Sequence, residues 1–147
     1  MNFPAQPITL CDTPRLISEA FAASPHQCAR REDHIVIFDH EGDVINAAPD
    51  MAKLAQLDLR GVAITAPSTQ YDFVARFFAP KYGINEDPVT GSAYTQLAPY
   101  WATRLGKNNL HAKQTSKRGG EVSCSVEGDR VVISDRAVKY MEASIEV

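Results

Sequence analysis

The stretch Ser92–Leu105, SAYTQLAPYWATRL, decides the fold. Its apolar side chains recur at helical spacing around much of the circumference, which is typical of a buried helix. Gly106 follows and predicts the end of the helix. Pro99 lies inside and removes one backbone hydrogen bond, so the sequence predicts a local bend. The apolar positions are Ala93, Leu97, Ala98, Trp101, Ala102 and Leu105, with Tyr94 and Tyr100 beside them.

Strand patterns lie on both sides of this helix along the chain. Runs rich in β-branched residues or alternating in polarity predict strands at residues 2–4, 34–38, 61–66, 73–79, 110–115, 121–126, 130–134 and 137–147. Gly119–Gly120 and Gly128–Asp129 fit hairpin turns. The expected fold class is α+β, with one domain over residues 1–147. A curved mixed or antiparallel sheet, barrel-like, wraps around the central helix near 92–105.

Two shorter helices are also predicted. The first has Pro14 at its first position, is capped by Asp12 or Thr13, and ends near Ser24. The second runs over 50–57 and is capped by Asp50. A turn is expected at Glu41-Gly42-Asp43, between strand 34–38 and that helix.

The composition narrows the classes of function. The chain has 147 residues, 44% of them hydrophobic and 22% charged, which is typical of one globular domain. Its formal net charge of -3 gives no general attraction to phosphate backbones, so nucleic acid is not an expected partner. No apolar run is long enough to span a membrane, and the N-terminus lacks the pattern of a secretion signal. We therefore expect a cytoplasmic location.

Cysteine and histidine patterns predict no metal site. The three cysteines, Cys11, Cys28 and Cys124, are odd in number and widely spaced, which favours reduced thiols over a disulfide framework or a zinc site. Cys124 alternates with valines and is expected in the core. Asp39-His40-Glu41 is interpreted as a solvated strand end, because three adjacent residues do not easily face one ion.

The segment Asn85–Tyr94, NEDPVTGSAY, carries the strongest chemical pattern. Asp87 precedes Pro88, which favours an extended conformation. Gly91 permits close approach of a ligand to the backbone, and Ser92 is a good N-cap residue. The free N–H groups of a helix start attract a carboxylate or phosphate, and a nearby Asp87 provides a general acid or base. The alternative is an ordinary capped helix after an ordinary Asp-Pro turn.

Several blocks resemble the phenazine-biosynthesis isomerase (PhzF-like) family in order and spacing. The most specific is Glu-Asp-Pro-x-Thr-Gly-Ser, and the similarity extends over essentially the whole chain. The matching blocks are Arg76–Pro80, Asn85–Ala93, Leu97–Trp101, Gln114–Gly120 and Gly128–Val131. The resemblance implies a diaminopimelate-epimerase-like fold of two similar halves, each a barrel-like sheet around a helix. It also implies isomerisation of a small cyclic hydroxy-amino acid by proton movement, without metal or cofactor.

The resemblance also assigns site residues. Asp87 corresponds to the family's acidic residue for proton handling, and Gly91 with Ser92 would hold polar groups of a small carboxylate-bearing substrate. Ala93 and Glu86 complete the predicted substrate-binding set. Related racemases have a cysteine at the position of Ser92, whose hydroxyl is too weak an acid to be a second base near neutral pH.

Two departures from the family pattern shape the functional hypotheses. Tyr94 stands where the family often has histidine. The chain also resembles only the C-terminal half, so the catalytic glutamate of the other half has no counterpart. One hypothesis is therefore an isomerase-type protein that depends on assembly, as a homodimer or with a separately encoded N-terminal half. The other is a non-catalytic domain of the same fold that binds a small acid or a partner.

Arg118–Gly120 is interpreted as a hairpin turn, with an anion-contacting loop as the alternative.

Overall fold

The computed structural model of the protein describes residues 1–135 and 139–145. Most of that chain is organised as one large sheet with helices on both faces. The strands are β1 Asn2–Pro4, β2 Thr9–Cys11, β3 Gln27–Arg30, β4 His34–Ile37, β5 Val62–Pro67, β6 Phe73–Ala79, β7 Ile84–Asp87, β8 Asn109–Gln114, β9 Gly120–Glu127 and β10 Arg130–Ser134. The helices are α1 Arg15–Ala20, α2 Glu41–Ile45, α3 Met51–Leu54 and α4 Gly91–Leu105, with a 3₁₀ turn at Pro80–Tyr82.

The sheet is mixed and open. Its strand order is β1-β10-β9-β8-β6-β5-β4-β3-β2, and β7 pairs separately with β6. The β4–β5 and β6–β8 pairs are parallel, whereas the other pairs are antiparallel. These features confirm the predicted α+β class and the mixed sheet.

The two faces of the sheet bury separate apolar clusters. Alternation along β6 shows the division: Phe73 and Phe77 face the cluster that contains α4, whereas Val74 and Phe78 face the cluster under α1, α2 and α3. Trp101 is fully buried at the centre of the first cluster, where its ring stacks on Phe73 with 5.4 Å between centroids. The predictions that α4 is buried and that Trp101 is a core residue are therefore confirmed.

Pro99 lies inside α4, as predicted, and the chain compensates for the backbone hydrogen bond that it removes, while the local bend stays a prediction. Pro99 lacks the N–H that would bond to the Thr95 carbonyl. The backbone N–H of Gln6 donates to that carbonyl instead, at 2.9 Å. Residues 5–8 connect β1 and β2, which lie at opposite ends of the sheet order, and Ala5 and Ile8 pack against the α4 cluster. This crossing segment therefore covers α4 between the two ends of the open sheet.

A buried polar network attaches the middle of α4 to the β3–β4 turn. Asp33 is fully buried, and both of its carboxylate oxygens accept from Arg60, at 2.9 and 2.6 Å. Gln96 of α4 donates to Asp33 at 2.6 Å and accepts from the backbone N–H groups of Glu32 and Asp33. Because each buried polar group has a partner, the network holds α4 in one register on the sheet.

Most predicted strands agree with the structure to within one residue, and β6 and β10 agree at both ends. Asp50 caps α3 by accepting from Ala52 N and Lys53 N, as predicted, although α3 ends at Leu54. Cys124 is buried in the core. Gly119 and Gly128 both have positive φ, which fits the two predicted turns. No helix in the described part of the chain is long and apolar enough to cross a membrane.

Several predictions about local structure are wrong. Helix α1 is shorter than predicted and is not capped by Asp12 or Thr13, because Pro14 occupies the cap position and no side chain bonds there. The helix stops at Ala20, and the extended Phe21 packs its ring against Phe38.

Other errors concern strands and turns. Strands β2, β3 and β7 were not predicted, and residues 41–43 begin helix α2 instead of forming a turn. Residues 139–145 are not in a strand, and the rest of the predicted strand 137–147 lies outside the described residues.

Candidate active site at the start of helix α4

The candidate site lies where the sheet forks. Strand β6 pairs with β8 through residues 73–75 and with β7 through Phe77 and Ala79. In this pairing Asp87 lies opposite Phe77, and Gln114 lies opposite Ala75 on the same side of β6. The fork therefore brings together two residues that are 27 positions apart in the chain.

Gln114 holds the loop that joins β7 to α4. Its side chain is 1% exposed, and its amide oxygen accepts from the Thr90 backbone N–H at 2.9 Å. Its amide nitrogen donates to the Asp87 carbonyl at 2.8 Å and contacts the Thr90 hydroxyl oxygen at 3.2 Å. One buried side chain thus fixes both ends of the three-residue turn after Asp87.

Thr90 in turn orients the Asp87 carboxylate. Its hydroxyl donates to Asp87 Oδ2 at 2.6 Å, while Thr90 itself is buried and Asp87 is half-buried. Among the described residues, Thr90 is the side chain that bonds to this carboxylate, and Oδ1 accepts from none of them. The Asp87 side chain is therefore held at one oxygen and open at the other.

The start of α4 differs from the sequence prediction in one respect. Thr90 is the N-cap residue, and Ser92 is the second residue of the helix, so the prediction that Ser92 caps the helix is wrong. The Thr90 N–H donates to the Gln114 amide oxygen, which holds Thr90 at the cap position, two residues before Ser92. Ser92 contributes its carbonyl to the Thr95 hydroxyl at 2.7 Å.

The first turn of α4 presents backbone donors to an open space. The Ala93 N–H bonds to Thr90 O at 3.1 Å, whereas the Gly91 and Ser92 N–H groups have no partner among residues 1–135 and 139–145. A Cβ placed on Gly91 would meet no atom within 4 Å. Gly91 and Ser92 are half-buried, so these two donors lie at a surface that a small anion can reach.

Glu86 is paired inside the protein. Both of its oxygens accept from Arg76, at 2.6 and 3.1 Å. Arg76 also donates to three backbone carbonyls around the end of α2, those of Val44, Ile45 and Ala47. The prediction that Glu86 contacts a substrate stays a prediction, and in this structure its carboxylate connects β7 to α2 through Arg76.

The loop between β8 and β9 forms the other side of the site. Ser116 donates from its hydroxyl to the Pro88 carbonyl at 2.7 Å and accepts from the Gly119 N–H at 3.0 Å. An open cavity of about 440 Å³ is lined by Glu86, Pro88, Ser116, Lys117 and Arg118. The Arg118 segment is a turn, as predicted, and it also places two cations at the edge of the site.

Packing at Gly120 fixes the distance between this loop and the Asp87 segment. A Cβ on Gly120 would lie 2.5 Å from Val89 Cγ2, well inside van der Waals contact. Gly120 is therefore required for the close approach of β9 to the 88–90 loop.

Tyr94 belongs to the core rather than to the cleft. Its ring is fully buried, and burial raises the pKa of its hydroxyl. The hydroxyl has no hydrogen-bond partner among the described residues. A neutral phenol therefore fills the position next to Ala93, which is also buried.

Three residues that hold the candidate site in place by hydrogen bonds were not singled out by sequence reasoning. Thr90, Gln114 and Ser116 lie inside the blocks that carried the family resemblance, but their roles depend on contacts between distant segments. Within the described residues no group of three or more His, Cys, Asp or Glu side chains is placed to hold a metal ion. The chemistry available here is a positioned carboxylate next to free backbone donors and two nearby cations.

Comparison with known proteins shows the family to which the chain belongs. Phenazine biosynthesis-like proteins match residues 11–143 as a family. The chain belongs to this family. It is 47% identical over 147 residues to a protein of Pseudomonas aeruginosa named as an uncharacterized isomerase. That match covers 100% of this chain and 57% of the relative. A second protein with that description, from Halalkalibacterium halodurans, is 37% identical over 149 residues, which cover 99% of this chain and 56% of the relative.

A solved family structure agrees in fold. The crystal structure of a PhzF-family phenazine biosynthesis protein from Enterococcus faecalis superposes with a TM-score of 0.87 at 37% identity. The match covers 90% of this chain and 52% of that one. The chain thus spans a little more than half the length of the relatives it matches.

Proposed function

We propose that the protein supplies one wall of an isomerase site that moves a proton on a small carboxylate-bearing molecule, without a metal or cofactor. Asp87 is the proton-handling residue in this proposal. The Gly91 and Ser92 N–H groups, with Ala93 completing the first helical turn, bind the carboxylate of the substrate. Glu86 lies beside them and keeps β7 in place through Arg76.

The observation that carries the proposal is the arrangement of Asp87 at the start of α4. Thr90 holds one carboxylate oxygen at 2.6 Å, which leaves the other oxygen open to take or give a proton. The same turn presents two unpaired backbone donors, and the positive end of the helix favours an anion there. A substrate carboxylate on those donors would bring its adjacent carbon close to Asp87.

Isomerisation by proton transfer needs a group on each side of the reacting carbon, or one group that returns the proton to a new position. The chain spans 57% of its Pseudomonas relative, and we propose that the uncovered part of such relatives corresponds to the opposite wall. A homodimer or a separately encoded partner would complete the cleft. We also propose the barrel-like, diaminopimelate-epimerase-like curvature, because one apolar cluster joins α4 to residues of seven strands, namely β3, β4, β5, β6, β8, β9 and β10.

Deuterium exchange tests this function. The protein is mixed in D₂O with small cyclic amino and hydroxy acids, alone and with the other half of a family relative, and exchange at carbon is followed by proton NMR. We expect exchange in the assembled state and a loss of roughly 100-fold or more in Asp87→Asn. Asp129→Asn is the matched control, because the Asp129 side chain is exposed and makes no hydrogen bond among the described residues. Equal exchange rates in the two variants would refute the role of Asp87.

A binding test separates the two hypotheses about catalysis. Gly91→Ala puts a methyl group into the open space where the carboxylate would lie, while the free protein has no atom there to clash with. We expect weaker binding of the same acids, measured by chemical-shift changes of the Gly91-loop amides, with unchanged stability. Gly42→Ala is the control, since its Cβ would meet only Asn46 at 3.9 Å. Binding without exchange in any assembled state would favour the second candidate, a non-catalytic domain that binds small acids.

A further inference from the structure

Two of the three cysteines lie directly opposite each other on neighbouring strands. Cys11 of β2 is the register partner of Cys28 of β3 in an antiparallel pair. Opposed residues in such a pair have Cα atoms roughly 4.5–5.5 Å apart, which falls inside the range that a disulfide spans. Both cysteines are free thiols in this structure.

The two side chains point to the same face of the sheet. Cys28 belongs to the apolar cluster under α1, α2 and α3, and Cys11 packs against that cluster. Because directly opposed residues of an antiparallel pair point to the same face, the two sulfurs are neighbours.

The two thiols differ in access to solvent. Cys11 is half-buried, and both cysteines line an open surface cavity beside His26. Cys28 is 2% exposed, and burial raises its pKa to about 12. A small oxidant therefore reaches Cys11 first, and Cys28 is the thiol next to it.

We propose that Cys11 and Cys28 form a reversible cross-strand disulfide when the protein meets a peroxide. The Cys11 thiolate attacks hydrogen peroxide, which gives a sulfenic acid on Cys11 and hydroxide, and the hydroxide takes up the proton that Cys11 released. The Cys28 sulfur then attacks the sulfenic sulfur. The S–O bond breaks, the Cys28 proton leaves with that oxygen as water, and the two cysteines have lost two electrons to the peroxide.

The disulfide would fasten an element that is otherwise weakly held. Strand β2 has three residues and lies at the edge of the sheet, where β3 is its one partner among the described strands. It continues directly from the crossing segment 5–8, whose Gln6 N–H satisfies the Thr95 carbonyl in α4. The bond closes the loop from Cys11 to Cys28 and restricts the unfolded chain. Oxidation is thus expected to stabilise the protein and to protect the Gln6 amide from exchange.

Mass spectrometry of the full chain tests the pairing. Trypsin cleaves after Arg15, Arg30, Arg118 and Arg130, so the three cysteines fall into separate peptides, 1–15, 16–30 and 119–130. The folded protein is treated with hydrogen peroxide, alkylated and digested without reductant. We expect peptides 1–15 and 16–30 to be joined with the loss of two hydrogens, and dithiothreitol to separate them. We also expect the melting temperature to rise by roughly 6–12 °C on oxidation.

Controls keep the proposal open to refutation. Cys11→Ser and Cys28→Ala should each abolish both the cross-link and the rise in melting temperature. Cys124→Ala should retain both, because Cys124 lies in the other apolar cluster. Cross-links that involve Cys124, cross-links that form only in denaturant, or an oxidised protein that melts no higher than the reduced one would each overturn the proposal.

Discussion

Gln114→Leu is expected to lower the free energy of unfolding by about 2–4 kcal/mol, although the substitution adds an apolar side chain to a buried position. Gln114 satisfies the Thr90 N–H and the Asp87 carbonyl, at 2.9 and 2.8 Å, from a side chain that is 1% exposed. Leucine has a similar volume but leaves both groups unpaired, and a buried group without a partner costs about 1–3 kcal/mol. The bond to Asp87 is only partly buried, so water replaces some of it, which sets the estimate below the full sum for two groups.

Urea unfolding at neutral pH measures this loss. The matched control is Gln56→Leu, because Gln56 is exposed and donates to Ala52 O within its own helical turn, at 2.9 Å. The control should change the free energy of unfolding by roughly 0.5 kcal/mol or less. If Gln114→Leu lowers the free energy of unfolding no more than the control does, the Gln114 amide does not hold the 88–90 turn and does not position Asp87.

Three further predictions concern stability. Gly120→Ala should destabilise the protein by about 1–3 kcal/mol in urea unfolding, because its Cβ would lie 2.5 Å from Val89 Cγ2; a neutral result would show that the two segments separate freely. Asp50→Ala should cost about 1 kcal/mol in the same assay, because it removes the cap of α3; no loss would mean that the cap adds nothing. Burial lowers the pKa of His34, so the unfolded chain binds that proton more readily. The free energy of unfolding should fall as pH drops below about 6.5, and this fall should be smaller in His34→Gln; identical pH profiles would exclude His34 as the cause.

The parts of the fold that follow from local pattern were predictable. The apolar repeat in Ser92–Leu105 identified the buried helix, and alternation identified β6, β9 and β10 to within one residue. These signals depend on which face of an element is buried, and the polarity of neighbouring residues in the sequence determines that face. The Asp50 cap was predictable for the same reason, since its bonds reach only two and three residues ahead.

Edge strand β2 was missed because little in its sequence is buried. Its residues Thr9 and Leu10 are exposed, and its pairing depends on where β3 lies. Strand β1 is also exposed along its whole length, yet residues 2–4 were predicted as a strand. No alternation of polarity is needed for an edge strand, so β2 carried none to detect.

The sequence indicated where the candidate site lies, but it did not indicate the geometry of the site. Asp87, Gly91 and Ser92 come from one continuous segment, which the family resemblance singled out. The contacts that orient them come from Gln114 and Ser116, which follow the helix and return beside the 88–90 loop. Such contacts depend on the parallel pairing of β6 with β8, a long-range arrangement that no local pattern encodes.

The position of the candidate site follows from the way β6 pairs with two other strands. Strand β6 gives one part of its edge to β7 and another to β8, and the gap between these partners is where the Asp87 carboxylate and the start of α4 meet. Gln114 closes that gap with a neutral side chain, so the carboxylate of Asp87 is oriented without being neutralised by a neighbouring cation. Arg76 of β6, which is half-buried, is instead paired with Glu86. Of the two adjacent carboxylates on β7, that of Glu86 is thus paired with a cation, whereas that of Asp87 accepts from the neutral Thr90 hydroxyl, as the proposed proton-handling role requires.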